Sequence, residues 1–274
     1  MNTVRVMSKN AAYQKFEVLR TNRNKRYRYG EFLVEGVRNI NQAIRNGWQF
    51  TSLLYSPETP LSRWAQEVLD TVSCDTHYQL SANLMQELSG KTDTSELLAI
   101  LRMRPDDPAL LHDSPCPLYI LFDRPSNHGN LGSIIRSADA LGADGLILTG
   151  HGVDLYQPEV ITASMGSFFN LPAIRMADND TVFDWIARQR DLHPGFQVIG
   201  TTAHKQLNIT QVDFRLPTLL MIGNETEGLC RAFKEGCDLL ATIPMADTSS
   251  ASSFNVACAA TVMMYEVCRQ RAQN

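Results

Sequence analysis

Short apolar runs alternate with stretches of helical periodicity along almost the whole chain. In the first third, residues 31–35 (Glu-Phe-Leu-Val-Glu) predict a strand. Gly36 breaks it, and Val37, Ile40, Ala43 and Ile44 then recur at helical spacing up to Gly47. Strands are predicted at 50–55, 78–80 and 97–102, and helices at 63–72 and 83–88, the latter capped by Ser81. A stretch rich in Pro and Asp follows, from Arg104-Pro-Asp-Asp-Pro108 to Ser114-Pro-Cys-Pro117. Such a stretch reads as a linker, so we expect a first domain over 1–105, a linker over 106–116 and a second domain over 117–274.

The second domain opens with Leu118-Tyr-Ile-Leu-Phe122, a continuous apolar run of the kind a buried parallel strand requires. A polar turn over 123–129 leads to a predicted helix at 133–141, apolar on one face and closed by Gly142. Strands are then predicted at 146–148, 171–175, 196–200, 219–222 and 239–243. Helices are predicted at 158–165, 182–190, 229–235 and 252–271. Strands alternating with helices predict an α/β fold whose sheet is mostly parallel and covered on both faces.

Composition narrows the function classes. Apolar residues make up 44% of the 274, enough for substantial cores, and no apolar run approaches the ~18 residues needed to cross a bilayer. With no signal-peptide pattern at residues 1–10, we expect a cytoplasmic protein. The six cysteines, at 74, 116, 230, 237, 258 and 268, show no Cys-x-x-Cys pair and no His in ligand spacing, so we expect buried free thiols, no disulfide and no metal. Cys258 and Cys268 read as small core residues of the last helix. The net charge of −4 hides an asymmetry: residues 1–30 hold eight basic side chains against Glu17 alone, a balance of +7, so the remainder carries −11. This basic arm, interleaved with Tyr13, Phe16, Tyr27 and Tyr29, suits phosphate contacts and base stacking, or else a solvated amphipathic helix.

Three polar signatures follow apolar runs in the second half, where open α/β sheets place their ligands. The first is Asn130-Leu-Gly132-Ser-Ile-Ile-Arg136, with Asn130 at a cap or turn position and an Arg suited to a phosphate or an oxyanion. The second is Ile222-Gly223-Asn224-Glu225-Thr-Glu-Gly228, in which glycines let the backbone approach a ligand and Glu225 can orient a neighbouring Arg or amide. The third is Ile243-Pro-Met245 followed by Ser253-Phe254-Asn255-Val256, which read alone is a helix cap. There is no Gly-x-Gly-x-x-Gly with a downstream acid, so a dinucleotide site of the Rossmann type is unsupported.

Taken in order, these signatures closely resemble the SpoU (TrmH-like) family of RNA ribose 2′-O-methyltransferases, of the SPOUT class. The resemblance covers about 118–271 and reaches upstream, where Arg26…Phe32-Leu-Val-Glu35-Gly36-Val-Arg38 is similar to the family's ribosomal-protein-like substrate-binding domain. Three departures stand out: the loop over 246–252 is longer than usual, Phe254 replaces the common Leu, and no basic residue stands near Thr162.

The resemblance implies a C-terminal SPOUT-type domain with a trefoil knot and a parallel sheet, a smaller N-terminal α/β RNA-binding domain, and a homodimer. It implies S-adenosylmethionine as methyl donor, held around Ile222, Gly223, Asn224, Gly228, Ile243, Met245 and Phe254. Asn130, Arg136, Glu225, Ser253 and Asn255 are the implied catalytic set, with Glu225 orienting Arg136 or Asn130. Arg23, Lys25, Arg26 and Arg38 are the candidate RNA contacts. Ribosomal RNA is favoured over tRNA as substrate; a tRNA enzyme or a non-catalytic RNA-binding factor on the same scaffold are the alternatives.

Overall fold

The computed structural model describes residues 2–91, 93–204 and 206–272, which form two compact units. The first comprises Met1–Arg104 and, from far downstream, Asp154–Asn170; the second comprises Pro105–Val153 and Leu171–Asn274. The segment 154–170, which sequence alone assigns to the second domain, thus belongs to the first.

The first unit runs β1 (Asn2–Val6), α1 (Ala11–Thr21), α2 (Arg23–Tyr29), β2 (Glu31–Glu35), α3 (Val37–Arg45), β3 (Phe50–Tyr55), α4 (Arg63–Thr71), β4 (Thr76–Leu80), α5 (Ala82–Leu88) and β5 (Leu97–Arg102). Its sheet has the order β1-β4-β3-β5-β2, parallel across β1, β4 and β3 and antiparallel across β3, β5 and β2. β1 is not apparent from the sequence pattern, since it is a mostly exposed edge strand. Asn10 caps α1 and Asn22 caps α2, each accepting from the backbone N–H three residues on at 3.1 Å. Tyr13, Phe16 and Leu19 then fall on one face of α1 and are buried against Leu33, Leu54 and Leu98. Tyr13 and Phe16 are therefore core residues and no part of a stacking surface.

Several charges of the basic arm are likewise used inside the unit. Lys15 pairs with Glu31 at 2.6 Å, and Arg20 donates to the carbonyl of Leu88 at 2.9 Å. Arg26 is fully buried: Nε donates to Asp154 Oδ2 at 2.8 Å, Nη1 to the carbonyls of Leu19 and Arg20, and Nη2 to Gln157 Oε1. Its assignment as an RNA contact is overturned, because a guanidinium sealed by those partners presents nothing to a phosphate. Aromatic packing completes the attachment of 154–170: Phe32 meets Tyr156 at 4.8 Å between ring centroids, and Trp48 Nε1 donates to the Phe169 carbonyl at 2.9 Å.

The second unit runs β6 (Leu118–Asp123), α6 (His128–Ala140) and β7 (Gly145–Thr149). After α7 (Pro158–Ala163), which lies in the first unit, it continues with β8 (Ala173–Met176), α8 (Asn179–Leu192), β9 (Gln197–Thr201), β10 (Leu207–Asn208), β11 (Thr218–Ile222), α9 (Arg231–Gly236), β12 (Leu239–Thr242) and α10 (Val256–Arg271). Its seven strands are all parallel, in the order β10-β12-β9-β11-β6-β7-β8. Every residue of β6, β7 and β11 is buried, which is why these strands read as unbroken apolar runs. Tyr119, Leu121, Leu219 and Met221 pack with Val182, Trp185 and Ile186 of α8 and Phe233 of α9. α6 and α10 meet through Ser137 Oγ and Thr261 Oγ1, 2.7 Å apart.

All six cysteines are free thiols, but none is fully buried. Cys258 is exposed and Cys268 only partly covered, correcting their placement in the core. Cys258 falls on the outward stripe of α10 shared with Val262 and Tyr265. Among the described residues no group of three His, Cys, Asp or Glu is placed to hold a metal, and no helix is long and apolar enough to cross a membrane.

Candidate active site

The three polar signatures converge beyond the carboxyl ends of β6, β11 and β12. Asp123 ends β6 buried, accepting from Thr149 Oγ1 at 3.0 Å and from the Cys230 N–H at 2.8 Å. Next, Arg124-Pro-Ser-Asn127 forms the turn into α6. Asn127 caps the helix, its Oδ1 accepting from the Asn130 N–H at 3.0 Å. Asn130 is accordingly the third residue of α6 and not its cap; the helix starts five residues earlier than periodicity predicts, because Gly129 and Gly132 resemble turn breakers in sequence.

After β11, the loop 223–228 closes on itself. The Asn224 N–H donates to the Gly228 carbonyl at 3.1 Å, and the Gly228 N–H returns to the Asn224 carbonyl at 3.0 Å. A Cβ at Gly223 would lie 2.2 Å from the Leu229 nitrogen and 2.3 Å from the Gly228 carbonyl carbon, so only glycine lets the loop fold this tightly.

Glu225 gathers the pieces. One carboxylate oxygen accepts from the Ser126 N–H at 3.0 Å and Ser126 Oγ at 2.7 Å; the other accepts from the Asn127 N–H at 3.0 Å and Asn130 Nδ2 at 3.3 Å. Asn130 Oδ1 in turn accepts from Asn255 Nδ2 at 3.1 Å, while Asn255 Oδ1 caps α10 through the Ala257 and Cys258 N–H groups. Partial burial pushes the Glu225 carboxyl up, but the hydrogen bonds from Ser126, the backbone and Asn130 outweigh it and hold the group below the usual carboxylate range.

Beside this network lies a cavity of about 310 Å³. Ile222, Gly223, Asn224, Gly228, Ile243, Met245 and Phe254 all line it, as do Glu225 and Ser253. Four of the five candidate catalytic residues are thus brought together. Arg136 is not among them: it is exposed on α6, outside the cavity lining, and its side chain makes no hydrogen bond or ion pair with another described residue. Glu225 therefore orients Asn130 and does not hold Arg136 within this chain. Sequence reasoning missed Ser126 and Asn127, whose only signal is a polar turn after an apolar strand. It also missed Thr201, Thr202 and Ala203, which follow β9 into the cavity wall.

The family model described as the SpoU rRNA Methylase family matches residues 117–265, and the SpoU L30e-like domain matches residues 10–99. The chain belongs to the SpoU rRNA methylase family. It is an RNA 2′-O-methyltransferase whose methyl donor is S-adenosylmethionine. It is 45% identical over 268 residues to the 23S rRNA (uridine(2479)-2′-O)-methyltransferase of Streptomyces viridochromogenes, covering 97% of this chain and 92% of that one. The crystal structure of the SpoU methyltransferase AviRb from the same organism, in complex with AdoMet, superposes with a TM-score of 0.91 at 45% identity, over 97% of this chain and 99% of that one. The 23S rRNA (guanosine-2′-O-)-methyltransferase RlmB of Coxiella burnetii is 31% identical over 203 residues, 74% of each chain.

The residues present fit the donor. The cavity has the size of small-ligand sites. Ile222, Leu229, Ile243 and Met263 give it apolar walls suited to an adenine ring, and the glycines of the 223–228 loop bring backbone polar groups up to it.

Proposed function

We propose that this SpoU methyltransferase acts on 23S rRNA and methylates the ribose 2′-hydroxyl of a uridine. The observation that carries this is the extent of the likeness to the Streptomyces enzyme. At 45% identity it spans both units, including the L30e-like one that would select the RNA, whereas several tRNA/rRNA methyltransferase relatives match only 56–58% of the chain.

Bound S-adenosylmethionine supplies an electrophilic methyl group on a sulfonium. Ile222, Gly223, Asn224, Gly228, Ile243, Met245 and Phe254 hold it. Asn130, fixed by Glu225, and Asn255, bonded to Asn130, are the amides assigned to the ribose, with Ser253 in the cavity lining. A guanidinium is a poor base, so Arg136 stabilises the developing 2′-oxyanion and positions the neighbouring phosphate, the proton leaving to phosphate or water. RNA contacts fall to Arg23, Lys25 and Arg38. To these we add Arg28 and Tyr29, because α2 exposes both at the surface and an aromatic ring beside basic groups suits a splayed base.

We further infer a homodimer, supported by the exposed apolar stripe on α10. We also infer a deep trefoil knot, supported by the pairing of β12 with β9 and the return of α10 onto α6. The enzyme works in the cytoplasm, on its rRNA.

Tritium transfer from labelled S-adenosylmethionine to separated 23S rRNA, 16S rRNA and tRNA tests the assignment. The expected result is label in 23S rRNA alone, recovered after alkaline hydrolysis as a resistant dinucleotide beginning with uridine, and lost in Arg136→Ala. Label in tRNA, or in alkali-labile mononucleotides, would overturn it.

A further inference from the structure

Arg124 holds a backbone conformation that its side chain makes unfavourable: φ is +50°, in the left-handed region. Its guanidinium is fully engaged across two loops. Nε and Nη2 bind the buried Asp123 carboxylate at 3.1–3.2 Å, Nη1 pairs with Glu227, and Nη2 donates to the Gly228 carbonyl at 3.1 Å. Its own carbonyl accepts from Asn224 Nδ2 at 2.7 Å. The neighbourhood is shaped around the side chain, for a Cβ at Gly150 would come within 2.5 Å of Arg124 Cγ. Asn224, Glu227 and Gly228 all line the cavity, while Arg124 does not.

We propose that Arg124 is a positioning residue, a latch that ties the turn after β6 to the 223–228 loop and fixes the shape of the methyl-donor cavity. The proposal rests on that cavity being the S-adenosylmethionine site. The latch follows from where its bonds end. Asp123 anchors the guanidinium to the buried end of β6, and Glu227 and Gly228 O are the far side of the donor loop. Asn224 closes the circuit from the donor loop back to the Arg124 backbone. A strained backbone persists only where its surroundings over-determine it, and such strain gathers at ligand clamps. Because the contacts stop at the cavity wall, the latch sets donor affinity and leaves RNA binding alone.

Arg124→Gly is the decisive variant, because glycine takes φ +50° without strain; it also takes the guanidinium from the buried Asp123, so a lower melting temperature is expected beside the loss of the latch. Calorimetry with S-adenosylmethionine on the full chain should show the dissociation constant raised at least tenfold. Arg124→Lys, which keeps the charge and loses the fork, should fall between wild type and Arg124→Gly. The Michaelis constant for the donor should rise in parallel, with turnover at saturating donor within about threefold of wild type and RNA affinity unchanged. A thermal melt keeps misfolding apart from the effect: a folded Arg124→Gly protein that binds the donor within twofold of wild type would overturn the latch. Wild-type protein that does not bind S-adenosylmethionine would instead overturn the assignment of the cavity.

Discussion

Glu225 is surrounded by hydrogen-bond donors on both carboxylate oxygens, and that fixes what it can be replaced by. Both oxygens accept, from Ser126 N–H and Oγ on one and from Asn127 N–H and Asn130 Nδ2 on the other. Gln preserves the shape but turns one acceptor into an NH₂ that faces donors. With that NH₂ turned towards Asn127 and Asn130, two partly exposed donors lose their acceptor, at about 0.5–1.5 kcal/mol for each bond. Asn130 is released with it, and misplacing a positioning group by about 1 Å lowers rates ~10²-fold. Glu225→Gln should therefore melt earlier and transfer methyl groups roughly a hundredfold more slowly in single-turnover assays, with RNA affinity retained. The same carboxyl sets an acid limit. Its folded pKa lies below the ordinary value of 4.5, so its contribution is complete above that value and is lost as pH falls through the lower, folded one. Thermal melts between pH 7 and 3 should show wild type losing stability at the acid end. The decline should be shallower in Glu225→Gln, which has no carboxyl to titrate there; equal slopes would remove Glu225 from the acid transition.

At the level of elements, the segment 154–170 holds the first unit together. Arg26 is 0% exposed, and Asp154 is its only carboxylate partner among the described residues. Removing one member of a buried pair costs about 3–5 kcal/mol because the other is left charged and unsolvated. Asp154→Ala should therefore lower the unfolding free energy by about that amount in chemical denaturation. The fragment 1–104, which lacks Asp154, Gln157, Tyr156 and Phe168, should not melt cooperatively by circular dichroism. A cooperative fragment would show that the segment is an appendage. This is also where sequence stops being a guide. Strands such as 31–35, 50–55 and 97–102 are legible because each buries a continuous run of side chains, and periodicity reports burial. The fate of Arg26 is not legible, because its partner stands 128 positions downstream and local charge spacing is the same for a solvated arginine as for a buried one. The site shows the same division. The polar turns that build it can be read one after another, but the bond from Glu225 to Asn130 exists only once β6 and β11 lie side by side. The start of α6 was obscured by Gly129 and Gly132, whereas Asn127, a better cap, lay just upstream.

For the whole molecule, the decisive surface is the outer face of α10. Cys258, Val262, Tyr265 and Arg269 follow one another at four, three and four residues, so they form a single stripe. Val262 is 43% exposed and Tyr265 58%. The opposite face of the same helix is buried through Ala260, Met263, Met264 and Val267, so α10 is apolar on two sides and has spent only one within the chain. α6, joined to α10 through Ser137 and Thr261, exposes Arg136, a candidate catalytic residue whose side chain has no hydrogen-bond or ion-pair partner among the described residues. An exposed apolar stripe on α10 and an exposed candidate catalytic arginine on the helix joined to it are what a site completed by pairing of two copies would leave on each. If so, dimerisation and catalysis fail together while the donor cavity, built within one chain, survives. Tyr265→Glu places a charge in the stripe and should sediment at the mass of a single chain, still bind S-adenosylmethionine, and lose most methyl transfer. The exposed Cys258 thiol provides an independent reading: it should react slowly with a thiol reagent in concentrated wild type and rapidly in Tyr265→Glu. Wild-type protein that sediments as a monomer at micromolar concentration and transfers methyl groups at full rate would show that one chain is a complete enzyme.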